Sequence, residues 1–117
     1  MNPMTLIWVS FAMSQLAFVG IGWTLWPGLD PEAQTLAYAV TGLGFVTGLG
    51  SLGLPGRLVQ GDSEEATRAR TLLRWAFAEA ATLMGFVATF VGGPRWLLLA
   101  AGAWGFTLLV LAIPRSE

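Results

Sequence analysis

Four long apolar stretches follow one another along the chain, separated by polar or Pro/Gly segments. A helix of about 20 mostly apolar residues crosses the ~30 Å hydrocarbon core of a membrane. The pattern therefore predicts an all-α protein, one domain covering 1–117, with four transmembrane helices whose sequence neighbours pack antiparallel. The predicted helices are about 5–26, 33–54, 71–91 and 95–113, and a polar cytoplasmic loop at 57–70, helical in its second half, joins the middle two.

Composition supports a membrane protein and excludes several functions. The chain is 55% hydrophobic and only 11% charged, whereas an ordinary soluble domain is about 25% charged. A soluble four-helix bundle is the alternative, but it would place charges at helical period on each exposed face, and these stretches do not. With no Cys and no His, we expect neither a catalytic site nor a metal site, and we expect no cofactor. A net charge of −1 without a basic stripe argues against nucleic acid as a partner.

Arginine distribution predicts the orientation, because short cytoplasmic loops carry an excess of positive residues. If both termini and the middle loop share one side, that side holds five of the six arginines, and Arg95 stands alone opposite. We therefore expect both termini in the cytoplasm of a bacterial inner membrane, with the lipid bilayer as the first partner. The first stretch is longer than the apolar region of a signal peptide, and no basic residue precedes it, so we interpret it as an anchor.

Glu79 is the one acid that falls inside a predicted span. It lies about eight residues into the third span, or roughly 12 Å from its cytoplasmic end. An ionised carboxylate at that depth costs several kcal/mol, so we expect Glu79 to be protonated or paired with a cation. Two roles remain open at this point: binding a proton or ion, or holding helices together through a hydrogen bond.

Three uncharged polar residues come to a similar depth. Gln15 lies in the middle of the first span, Thr47 in the second, and Thr82 nearly one turn after Glu79. We predict that they surround Glu79 as a proton-binding or ion-binding site. The alternative for both threonines is a hydrogen bond to the carbonyl four residues earlier in their own helix.

Glycine spacing in the second span is the remaining clue, because small residues let another helix approach closely. The interpretations left open are packing inside one bundle and packing against copies of the same helix in a ring. The glycines predicted to serve in helix packing are Gly42, Gly44, Gly48 and Gly50.

The segment E-A-A-T-L-M-G-F-V, from Glu79 to Val87, resembles the signature around the ion-carrying carboxylate of the rotary ATPase c subunits, the proteolipids. In that family a small residue and apolar residues follow the acid, and a glycine stands six positions on, as Gly85 does here; Met84 replaces the family's aromatic residue. The order of a Gly-rich helix, a loop with Arg and a helix with an acid also matches the family over residues 41–91.

The resemblance implies a homo-oligomeric membrane ring that binds a proton at Glu79. Sodium is less favoured, because Ala80 stands where sodium-binding members tend to carry a hydroxyl. A second hypothesis is a structural or assembly subunit of a larger membrane complex, associated with other membrane subunits and without ion chemistry. A small-molecule transporter ranks third, since the spans lack clear interruptions.

Overall fold

The computed structural model describes residues 2–113, which form five α-helices and no strand. The helices are α1 (Pro3–Thr24), α2 (Gln34–Gly50), α3 (Leu54–Leu58), α4 (Glu64–Phe90) and α5 (Arg95–Leu111), and a 3₁₀ turn at Pro31–Ala33 precedes α2. The all-helical class is thus confirmed, and four long helices lie where the four apolar stretches were predicted.

Two boundaries differ from the prediction. The loop predicted at 57–70 is mostly helical, because α3 includes Pro55 and Arg57 and α4 already begins at Glu64. Ser63 caps α4 by accepting a hydrogen bond from the backbone N–H of Ala66, and acids at the first two positions favour a helix N-terminus. These local signals start the helix seven residues before the apolar stretch does.

The long helices alternate in direction around a central pair, α4 and α5. Trp75 near the start of α4 donates its indole N–H to the carbonyl of Ala112 beyond the end of α5, so the two helices are antiparallel. Trp8 and Trp26 at the two ends of α1 donate likewise to Leu109 and Gly93. These three indoles thus bond to backbone carbonyls at or just beyond the ends of neighbouring helices.

α1 and α2 pack on opposite sides of the α4/α5 pair and scarcely touch each other. The expectation that the first two helices are direct neighbours is therefore wrong, although the third connection does join neighbours. The arrangement is flat, with principal dimensions of 50 × 29 × 15 Å. The turn between α1 and α2 lies at one end of the bundle, and the α3 region lies at the other.

Membrane-spanning character is clearest in the first helix. Among residues 2–113, α1 is the helix that is both long and apolar enough to cross a bilayer, and α5 is an apolar helix of 17 residues. Only 11% of the most apolar part of α1 is buried inside the bundle. Exposed leucine, methionine and isoleucine side chains therefore cover most of its surface, such as Leu16, Met13 and Ile21.

Candidate functional site

Glu79 lies in α4 on the side that faces α1, and its side chain is half-buried. The Ser14 side chain of α1 lies beside it. Ser14 stands near the middle of the 22 residues of α1, so it is roughly 15 Å along the helix axis from either end of α1. The carboxyl group therefore lies at mid-height of the bundle, at the seam between the two helices.

A second polar group lies one turn away and is fully enclosed. Thr82 donates its hydroxyl to Oε1 of Gln15 over 2.8 Å, and both residues are at least 99% buried. The side-chain nitrogen of Gln15 donates to the carbonyl of Gly105 in α5 over a longer 3.4 Å. This group thus ties α1, α4 and α5 together at the level of Glu79.

Gly105 makes room for that polar group. A Cβ at this position would meet Oγ1 of Thr82, the carbonyl oxygen of Ala78 and Oε1 of Gln15. Any larger residue would therefore separate α5 from α4 and displace the Gln15 amide. α5 therefore contributes space and a backbone carbonyl here, and no side chain.

The predicted site residues are only partly brought together. Gln15 and Thr82 do contact each other, but the partner of Gln15 is Thr82 and the neighbour of Glu79 is Ser14. Thr47 lies in α2 and donates to the carbonyl of Leu43 in its own helix. The alternative given for the threonines therefore holds for Thr47, whereas Thr82 bonds across to α1.

The sequence reasoning missed Ser14 and Gly105. Ser14 is adjacent to Gln15 in the same apolar stretch, so an inventory of all polar residues at mid-depth would have included it. Gly105 carries no polar side chain, and no sequence signal separates it from Gly102, the other glycine of α5. Only its contacts with Thr82 and Gln15 identify it.

The glycines of α2 divide into two pairs. A Cβ on Gly44 would lie 2.7 Å from Cβ of Met84 in α4, and one on Gly48 would lie 2.8 Å from Cδ1 of Leu108 in α5. Nothing lies within 4 Å of a Cβ on Gly42, and one on Gly50 would meet only Leu54 of the next helix. Gly44 and Gly48 therefore serve packing within one chain, so a seam between copies would need another face of α2.

Comparison of the chain with models of protein families, with curated proteins and with solved structures gives no match. Nothing in these comparisons links it to the rotary ATPase c subunits. The resemblance over Glu79 to Val87 thus stands on the residues alone, and the geometry around Glu79 must support a function by itself.

Proposed function

We propose that the chain is a multi-pass membrane protein in which α1, α2, α4 and α5 all cross the bilayer. Large apolar side chains are exposed on each of these helices, as with Leu16, Leu43, Leu83 and Leu111. Lipid is the environment in which such a surface is stable, because soluble proteins rarely expose large contiguous apolar patches. Apart from Glu79, the charged residues of 2–113 lie in turns, in the α3 region, in the N-terminal part of α4 or at the start of α5.

Within that bundle we propose that Glu79 binds a proton reversibly. The observation that carries this proposal is the position of its carboxyl group at mid-height, half-buried and beside the Ser14 hydroxyl. A hydroxyl both donates and accepts hydrogen bonds, so Ser14 offers a partner to the carboxylate and to the neutral acid alike. In the described part of the chain no cation pairs with Glu79, which favours the neutral form in a membrane.

A carboxyl group that binds a proton reversibly must exchange it with its surroundings. Because the Glu79 side chain is only half-buried, its exposed part gives the proton a path to and from the carboxyl group. Gln15 and Thr82, one turn deeper, are shut away among three helices and are occupied with each other. In this proposal Gln15 and Thr82 hold α1, α4 and α5 together, and Glu79 binds the proton on the partly exposed side of α4. A homo-oligomeric membrane ring is part of the proposal and is implied by the proteolipid resemblance.

The second candidate is a structural or assembly subunit in which Glu79 only joins helices or subunits. The observation that favours it is the exposed apolar surface, which a neighbouring membrane subunit could cover as well as lipid. In that case Glu79 is a hydrogen-bond donor to Ser14 or to the neighbour, and a side-chain amide would replace it without loss.

Hydrophobic carbodiimides distinguish the two, since they modify protonated carboxyl groups that face an apolar phase. We expect modification of Glu79 near neutral pH, mapped by mass spectrometry of peptides, while Glu64 and Glu65 in the first turn of α4 are spared. Glu79→Gln should abolish the modification and the pH-dependent carboxylic acid band in the infrared spectrum. If Glu79 is unreactive and that band is the same in the natural chain and in the Glu79→Gln variant, proton binding is wrong and the structural role stands.

The membrane arrangement has a separate test, because the chain contains no natural cysteine. Cysteines introduced singly at Ser63 and Leu29 lie at opposite ends of the bundle, and both residues are exposed. We expect a membrane-impermeant thiol reagent to label Leu29→Cys in intact cells and Ser63→Cys only after the membrane is opened. Labelling of both in intact cells would contradict this orientation.

A further inference from the structure

Arg95 is the one cation at the end of the bundle opposite α3, within residues 2–113. Its guanidinium carbon lies 4.6 Å from the centre of the Trp23 ring and 4.7 Å from that of Trp26. Trp26 is itself fixed, because its indole N–H donates to the carbonyl of Gly93 over 2.9 Å. The two tryptophans therefore hold the arginine head at the junction of α1 and α5 through cation–π contacts.

The hydrogen-bonding groups of Arg95 are nevertheless unused. Its Nε is buried without a partner, and its guanidinium makes no ion pair or hydrogen bond within the described residues. Asp30 and Glu32 lie in the turn at the same end, but the Asp30 carboxylate accepts the backbone N–H of Glu32. A planar, permanently charged fork of N–H donors without an acidic partner is suited to a phosphate group.

An apolar groove lies between α1 and α5, nearer the middle of the bundle than this cluster, and neither the arginine nor the two tryptophans line it. Its volume is about 390 Å³, and it ends at the buried Gln15. On each helix the cluster lies one turn beyond the groove, since Trp23 follows Gly20 and Arg95 precedes Leu99. Its other lining residues are mostly small or aliphatic: Leu16, Val19, Gly102, Ala103 and Phe106.

The distance from Arg95 to the inner end of the groove matches the thickness of one leaflet. Arg95 and Phe106 are eleven residues apart on α5, which corresponds to roughly 16 Å along the helix. Half of a ~30 Å hydrocarbon core is about 15 Å. Tryptophans at one end also match the level of lipid headgroups, where their rings are enriched.

We propose that this end of the bundle binds one phospholipid, with its phosphate on Arg95 and one acyl chain in the groove between α1 and α5. The proposal rests on the membrane insertion proposed above, but it requires nothing of Glu79. A free phosphate would use the arginine and leave the apolar groove unoccupied, whereas a phospholipid fills both.

Two substitutions test the headgroup and the groove separately. Arg95→Gln removes the charge, and Gly20→Leu places a large side chain on a residue that lines the groove and has nothing within 4 Å of an added Cβ. Gly42→Leu is the matched control, since Gly42 is an exposed glycine of α2 with equally open surroundings. Native mass spectrometry of the protein released from detergent, with phosphatidylglycerol added, measures the bound fraction.

We expect one phosphatidylglycerol per chain, about tenfold weaker binding for Arg95→Gln and for Gly20→Leu, and no change for Gly42→Leu. Diacylglycerol with the same chains should bind as weakly to the natural protein as phosphatidylglycerol does to Arg95→Gln. Equal binding to all four chains, or equal loss in Gly20→Leu and Gly42→Leu, would overturn the site. If inorganic phosphate displaced the lipid completely, Arg95 would be a binding site for anions alone, and the groove would not bind an acyl chain.

Failure of this proposal is distinguishable from failure of the proposed function. Thiol labelling at Leu29 and Ser63 reports membrane insertion, and carbodiimide modification reports Glu79, while neither depends on a bound lipid. If the chain inserts in the membrane and Glu79 is modified, but every variant binds lipid equally, then only the proposal of a lipid site is wrong.

Discussion

The two flanks of the α4/α5 pair are built differently from helices of similar apolar composition. α2 packs through Gly44 and Gly48, which let it approach so closely that a Cβ on Gly44 would lie 3.1 Å from the carbonyl oxygen of Ala81. α1 packs through larger side chains and polar groups, with Ser14 and Gln15 at its centre. It also leaves an apolar groove open beside α5.

The two flanks differ in role: the α2 flank stabilises the bundle, and the α1 flank carries the groups that we expect to bind ligands. Between helices in a membrane, close van der Waals packing is a main source of association, because lipid is as apolar as the side chains. The α2 flank makes such contacts, and its two threonines near the middle of the helix, Thr41 and Thr47, bond carbonyls of their own helix. The α1 flank holds the carboxyl group and the groove, and is therefore where we expect both ligands.

Gly44→Leu should have the largest effect, because its side chain would run into Met84 and into the backbone of α4. We expect a loss of roughly 3 kcal/mol or more in the free energy of unfolding, measured by denaturant titration in detergent. Gly42→Leu is the control and should change that free energy by less than about 0.5 kcal/mol. Equal stability of the two variants would mean that α2 does not pack as described.

Gln15→Leu should have the next largest effect, and on the other flank. The variant leaves the buried Thr82 hydroxyl without its acceptor, at a cost of about 1–2 kcal/mol in the free energy of unfolding. Thr82→Val in the same chain should recover part of that loss, since both ends of the bond are then apolar. Additive losses in the double variant would show that the two side chains are not coupled.

Glu79→Gln should change the free energy of unfolding by less than about 1 kcal/mol, because an amide has the same shape and offers a donor and an acceptor to the neighbouring Ser14 hydroxyl. Its effect should instead fall on carbodiimide modification, which it abolishes. Glu79→Ala serves as the comparison, since it removes every polar atom of the side chain. If Gln at this position unfolds the chain as readily as Ala, the acid has a structural role that an amide does not replace.

Thr47→Val should have the smallest effect, within about 0.5 kcal/mol, on the free energy of unfolding and none on Glu79 modification. Its hydroxyl bonds only Leu43 of its own helix. A clear fall in Glu79 reactivity in this variant would place Thr47 in the site after all and would remove the distinction between the flanks.

The sequence by itself determined the helical class and the approximate position of each long helix. Apolar stretches of this length, interrupted at Pro27 and Pro94, restrict the backbone to helices with breaks at those points. It also singled out Glu79 and the depth of Gln15, since a charged or polar residue within an apolar stretch is visible in one dimension. The start of α4 is also predictable from the sequence, because Ser63 is a typical N-cap residue.

Only the tertiary structure decided which polar residues meet and which face each glycine serves. Ser14 and Gln15 differ by about 100° around α1, so the rotation of that helix determines which of them faces Glu79 and which faces Thr82. The same holds for Gly42 and Gly44, one open and one against α4. Apolar helices carry no charged face that would fix their rotation from sequence, so close packing against α4 and α5 fixes it instead.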